Sequence, residues 1–137
     1  MPNGQPRQHP VARDWEAERA RYAWEQTGEA QRDCSKFKDY TNLAKSAPAL
    51  IMNSGLMSTL AFFQSKENHH KRLVAQICAW LSRRFEDLRR RPRGSDFPQI
   101  MHWLANADAS TYRLATREVM SLLRWLKQFA DARERGE

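Results

Sequence analysis

The chain has 137 residues and a formal charge of +7, from 23 Lys and Arg against 16 Asp and Glu. Its length suits one domain that buries roughly 65–70% of its unfolded surface, and its charge points to a polyanion or an acidic protein surface as partner. Cys34 and Cys78 lie far apart with no C-x-x-C pair, which excludes a disulfide framework and a zinc cluster and suits a reducing cytoplasm.

Only five Gly and six Pro are present, and the prolines fall outside the long periodic stretches. That pattern favours helices over a turn-rich sheet. The expected fold is all-α, a compact bundle of about six helices with no sheet. Met1 to Ala12 is polar and Pro-rich without an apolar core, so it reads as a flexible tail and not as a signal peptide.

From Ala12 to Ala30 an Ala-, Glu- and Arg-rich run places Trp15, Tyr22 and Ala23 at helical spacing, with a start at Asp14. Cys34, Phe37, Thr41 and Ala44 then mark a second helix or a continuation, and Gly28 and Ser35 leave that joint open. Pro48 suits the first turn of a new helix, which ends the previous one at Ser46 or Ala47 and starts a short apolar helix from Pro48 to Asn53. Gly55 is a terminator, and Leu56 to Lys66 forms another short helix. Ala47 to Phe63 is the most apolar stretch, but Asn53, Ser54, Gly55, Ser58 and Thr59 interrupt it. A span needs about 20 nearly continuous apolar residues, so core helices are expected here.

Leu73, Val74, Ile77, Cys78, Leu81, Phe85 and Leu88 predict a helix from about Asn68 to Arg91, ended by Pro92 and Gly94. Asp96 caps a helix starting near Phe97 and Pro98, whose apolar face is Ile100, Met101, Trp103 and Leu104. Asp108 opens the last helix, on which Tyr112, Ala115, Val119, Leu122, Leu123, Leu126, Phe129 and Ala130 form one stripe up to about Ala132. Its opposite side carries Arg113, Arg117, Arg124 and Lys127, and Arg133 to Glu137 reads as a charged tail. The expected organisation is therefore a tail over 1–12, one helical domain over 13–132 and a charged end over 133–137.

The common catalytic signatures are absent: there is no Gly-rich phosphate loop, H-E-x-x-H or G-x-S-x-G. His69, His70 and Cys78 share one predicted helix but lack the four convergent ligands of a structural metal site. Cys78 lies on the apolar stripe, where a buried, inert thiol is the usual outcome. Glu86 and Asp87 are adjacent on a helix and point apart, so they cannot flank one substrate bond. No catalytic residue, metal or cofactor is expected.

Charge is uneven along the chain. Between Glu67 and Ser95 eight cations face three carboxylates, which supplies five of the seven net positive charges. Arginine donates two parallel hydrogen bonds to phosphate, so Arg83, Arg84, Arg89, Arg90, Arg91 and Arg93 are the leading candidates for RNA contact, with Lys45, Lys71 and Arg72 behind them. The bland alternative is a solvated helix end whose cations complement the helix dipole. Charge alone also fits a helical DNA-binding regulator or an architectural adaptor for an acidic protein. An RNA-processing enzyme would need an acid, base or metal cluster that these residues do not supply.

The segment YTNLAKSAPALIMNSGLMSTLAFFQSK, from Tyr40 to Lys66, resembles the small subunit, the fifth protein, of the type III-B CRISPR effector known as the Cmr complex. The pattern K-x-x-P-x-L-I-x-x-x-G-L-x-x-x-L-A-F falls on Lys45, Pro48, Leu50, Ile51, Gly55, Leu56, Leu60, Ala61 and Phe62. The ending YRLATREVMSLLRWLKQFADA is similar to that family's last helix. The resemblance implies a helical bundle without nuclease residues, several copies of which line the minor filament of a ribonucleoprotein active in antiviral defence. It implies other Cmr subunits, guide RNA and target RNA as partners, with cleavage left to the neighbouring backbone subunit. Guide pairing selects sequence in such a complex, so a wall protein needs only backbone and shape contacts. Leu56, Phe62 and Phe63 are expected in the core.

Overall fold

The computed structural model describes residues 13–136, so the expected 1–12 tail lies outside the described residues. Seven helices follow in order: α1 (Trp15–Asp33), α2 (Phe37–Ser54), α3 (Leu56–Gln64), α4 (Asn68–Arg84), the single turn α5 (Glu86–Arg89), α6 (Phe97–Ala105) and α7 (Ala109–Arg135). No strand occurs among the described residues. Asp14 and Asp108 start α1 and α7 by accepting hydrogen bonds from the backbone N–H groups of Ala17 and Thr111, which satisfies donors that a helix start leaves unpaired.

The long α7 organises the bundle. It runs parallel to α1, which it meets from Arg19–Glu118 at one end to Gln31–Arg133 at the other. It runs antiparallel to α2, where the Tyr112 hydroxyl accepts from the Met57 N–H near the α2–α3 turn and Lys45 pairs with Asp131 further along. The core between these helices and α4 holds Trp80, Tyr40, Phe63, Leu56, Leu73, Ile77 and Leu122, all fully buried. Each large apolar side chain there contributes about 1.5–3 kcal/mol of burial.

Three boundaries differ from the sequence reading. First, α2 continues through Pro48 instead of ending at Ser46 or Ala47. The ring removes one ladder hydrogen bond, but Tyr40, Leu43, Ala44, Ala47 and Ile51 form one unbroken apolar stripe that packs as a unit. The break falls at Gly55, whose φ of +88° is open to glycine and strained for other residues. Second, the predicted 68–91 helix is interrupted at Phe85, which is extended and buried against Trp103 with ring centroids 4.9 Å apart. Third, the 133–137 segment is not all tail, because α7 continues to Arg135. Arg133 lies 3.6 Å over the Trp24 ring and donates to the Trp24 carbonyl and the Thr27 hydroxyl. The open joint resolves at Cys34, which is extended, while Gly28 sits inside α1.

One buried carboxylate ties three helices together. Glu118 of α7, 5% exposed, accepts from Arg19 Nε of α1 at 2.7 Å, from Trp80 Nε1 of α4 at 2.7 Å and from Arg84 Nε of α4 at 3.1 Å. Burial alone would push its carboxyl pKa up. The hydrogen bonds from Arg19 and Trp80 and the charges of Arg19 and Arg84 outweigh that, and the pKa ends below the ordinary Glu value. Its contribution is therefore full above the unfolded pKa of about 4.3 and lost as pH falls through the lower folded value. Glu118→Ala takes the shared anion from Arg84 and from the buried Arg19, which keeps only the exposed Glu16, and is expected to cost about 3 kcal/mol at pH 7, with the gap to wild type narrowing on acidification. Urea unfolding at pH 7 and pH 3 checks this; a constant gap would show that Glu118 is not held as an anion. A Cβ added at Gly94 would lie 2.1 Å from the Leu88 carbonyl oxygen, so Gly94→Ala is expected to cost about 2 kcal/mol in the same measurement.

Candidate nucleic-acid interface

The arginine-rich stretch is divided by the turn of the helix. Arg84 points inward, where it holds Glu118 and lies 4.7 Å over the Trp15 ring. Arg83 faces outward, its guanidinium 4.9 Å above Tyr22 and 5.8 Å from Trp80. After Phe85 the chain turns tightly around the buried Leu88. There Arg89 donates to the Arg83 carbonyl at 2.6 Å, Arg90 pairs with Glu86 one turn back, and Arg93, at a left-handed φ of 55°, lies 3.9 Å from Asp96. Arg91 is half-buried, without a hydrogen-bonded or ion-paired side-chain partner among the described residues.

Of the supporting candidates, Arg72 pairs with Asp33 at 3.1 Å and Lys45 with Asp131 at 3.1 Å, while Lys71 is exposed. The structure thus brings Arg83, Arg89, Arg90, Arg91 and Arg93 to the end of α4 and the turn beyond it. It places Lys71 and Arg72 near the start of α4, and Lys45 against α7. Asp33, Asp96 and Glu118, all outside the 67–95 window, pair with cations inside it, so the local excess falls from five charges to two.

An open cleft of about 900 Å³ lies between α1, α4 and the start of α2. Lys36, Lys71, Arg72 and Arg83 line it together with Glu29, Asp33, Asp39 and Glu67, so it is charge-balanced. Tyr22 and Gln76 line it; Tyr22 donates to the Gln76 carbonyl at 2.7 Å and the fully buried Tyr40 to Gln76 Oε1 at 2.6 Å, and burial pushes both phenols up. These groups lock α1, α2 and α4 together and stay neutral at physiological pH.

The exposed side of α7 has a different character. Arg113, Arg117, Arg124 and Lys127 follow one another at intervals of four, seven and three residues. They fall within about 80° on a helical wheel and extend over about 21 Å. Arg117, Arg124 and Lys127 have no carboxylate within ion-pair distance among the described residues. Arg124 and Lys127 flank a shallow groove of about 280 Å³ whose floor is Pro48, Met120 and Ser121. The sequence signal for this row is its periodicity without an intervening exposed acid, a signal that counting charge in a contiguous window misses.

The remaining chemistry is subdued. Burial, with the charge of Asp96, pushes the Cys78 thiol up to about 12, so it carries no thiolate at neutral pH. His70 stacks edge-on against Phe63, and burial beside His69 and Lys66 lowers its pKa. Among the described residues no group of three His, Cys, Asp or Glu side chains is placed to hold a metal, and no helix is long and apolar enough to cross a membrane. In the family-like pattern Ile51, Leu56 and Leu60 are buried, Pro48, Leu50 and Gly55 are half-buried, and Ala61 is exposed. Phe62 corrects the core expectation: it is 50% exposed beneath the Lys66 ammonium, and Phe63 takes the buried position.

Comparison with known proteins agrees with this architecture. Residues 15–133 match the sequence model of a family described as CRISPR-associated protein (Cas_Cmr5). A relative from Thermus thermophilus, named CRISPR system Cmr subunit Cmr5, is 31% identical over 114 residues, which is 82% of this chain and 90% of that protein. The crystal structure of a Cmr5 family protein from the same organism superposes with a TM-score of 0.71 at 26% identity, covering 88% of this chain and 97% of that one. A family match over residues 15–133, joined to a relative 31% identical over most of both chains and to the same helical fold, settles the family: the chain is a member of the Cmr5 family, the small subunits of the type III-B CRISPR Cmr complex.

Proposed function

We propose that this chain is a non-catalytic wall subunit of a type III-B CRISPR ribonucleoprotein. Several copies form its minor filament beside the backbone subunits and the guide and target RNA, in support of RNA-guided cleavage of foreign RNA in the cytoplasm. The observation that carries the reading is the family match over residues 15–133, and the surface chemistry supports it. Arg89, Arg90, Arg91 and Arg93 offer backbone-binding cations on a turn fixed by the buried Leu88, with Arg83 at the end of α4 beside them and Lys71 near the start of α4. Arg72, Arg84 and Lys45 act behind them, held by Asp33, Glu118 and Asp131. The buried anion is saturated with donors and the buried thiol is protonated, so neither is poised as base or nucleophile.

Reconstitution with the other Cmr subunits and a guide RNA tests this. Wild-type chain is expected to join the complex and to be needed for full target cleavage. Replacement of Arg89, Arg90 and Arg91 by Glu is expected to leave assembly intact and weaken target binding. Failure of the wild-type chain to assemble would overturn the subunit role. Unchanged target binding by the variant would move RNA contact away from this turn. Binding of the isolated protein to single-stranded RNA is expected to fall linearly on a log–log salt plot, by about 0.7 per phosphate contact, and a flat plot would refute backbone recognition.

A further inference from the structure

The row of cations on α7 plays no part in holding the fold together. Arg117 and Arg124 are exposed and Lys127 half-exposed, and none of the three is tied to a carboxylate among the described residues. The buried side of the same helix carries Ala115, Val119, Leu122, Leu123, Leu126 and Ala130, so α7 keeps its place without the cations. Unpaired cations repel one another along a stripe. The first acid in line with them beyond Lys127 is Asp131, and it is neutralised by Lys45 and Arg135.

We infer that the outer edge of α7, from Arg113 to Lys127 together with the groove beside Pro48, is a second phosphate-binding track for RNA, separate from the arginine turn at 89–93. This deepens the proposed subunit role and rests on it. Three features favour a nucleic-acid backbone over an acidic protein. The cations are linear and regularly spaced over about 21 Å, which matches an extended polyanion better than a compact patch. Three of the four are arginines, whose planar groups grip phosphate oxygens in pairs. The groove offers only Pro48 and Met120 as half-buried apolar surface and no aromatic anchor, whereas protein interfaces centre on buried aromatic or aliphatic anchors. The track reads no sequence, because contacts from its cations to phosphate carry no base information.

The test uses the assembled complex with guide RNA and labelled target. Arg117, Arg124 and Lys127 are changed together to Glu, and separately Ser121, on the groove floor, is replaced by a photoreactive residue. The triple variant is expected to fold, to enter the complex at wild-type stoichiometry, and to bind target RNA about 10- to 100-fold more weakly at 0.1 M salt. The log–log salt slope should shrink by about two, as three lost single-strand contacts require. The photoreactive chain is expected to crosslink to RNA. Crosslinks to a protein subunit alone, or unchanged RNA affinity and salt slope in the triple variant, would overturn the second track and leave the subunit role standing. Absence of the wild-type chain from the purified complex would instead refute the subunit role, and the track with it.

Discussion

Glu118 sets the geometry on which the outer surface depends. A carboxylate with 5% exposure must be paired, and here the donors come from α1 and α4 while the acceptor rides on α7. This contact fixes the rotation of α4: with Trp80 and Arg84 drawn inward, the neighbouring Arg83 must face outward, about 100° around the helix. The same rotation sends Phe85 to Trp103, which stops α4 and starts the turn that carries Arg89, Arg90, Arg91 and Arg93. One buried anion thus decides which arginines hold the fold and which are left for a partner.

Helical content was legible in the sequence because it rests on periodicity and punctuation. Asp14, Gly55 and Asp108 mark boundaries through local chemistry, and the structure places boundaries there. Pro48 misled because its local penalty of about 3 kcal/mol is outweighed by a stripe that continues on both sides of it. Phe85 misled in the opposite direction: its spacing fits the apolar stripe, and only the position of Trp103, eighteen residues on, shows why the chain breaks there. Phe62 and Phe63 are adjacent aromatics in a short helix, and one residue of register decides which is buried. That register is fixed by contacts such as Phe63 on His70, which no local pattern reports.

The candidate surface was less legible, for an electrostatic reason. A window of sequence counts cations without their partners, and the partners here are distant in sequence: Arg72 meets Asp33, Arg84 meets Glu118, and Lys45 meets Asp131. Two of these acids lie on α7 itself, Glu118 on its buried side and Asp131 in line with its outer cations. Glu118 is consumed in the core and Asp131 by Lys45 and Arg135, so Arg117, Arg124 and Lys127 keep their charge uncompensated. Two basic regions of similar density along the chain therefore differ in space.

The cleft between α1 and α4 is charge-balanced, the buried Cys78 is held neutral and the buried Glu118 fully paired, so the surface chemistry is carried by cations on rigid supports. Rigidity matters because ordering a mobile arginine offsets much of what a phosphate contact contributes. Around Leu88 that order is supplied by the close approach of Gly94 and by Arg89, which bonds back to the Arg83 carbonyl. On α7 it is supplied by a 27-residue helix clamped along its buried side by α1 and α2. The two supports meet at Glu118, but Arg89, Arg90 and Arg91 on one and Arg117, Arg124 and Lys127 on the other take no part in that contact, so charge on either surface can change without loosening it.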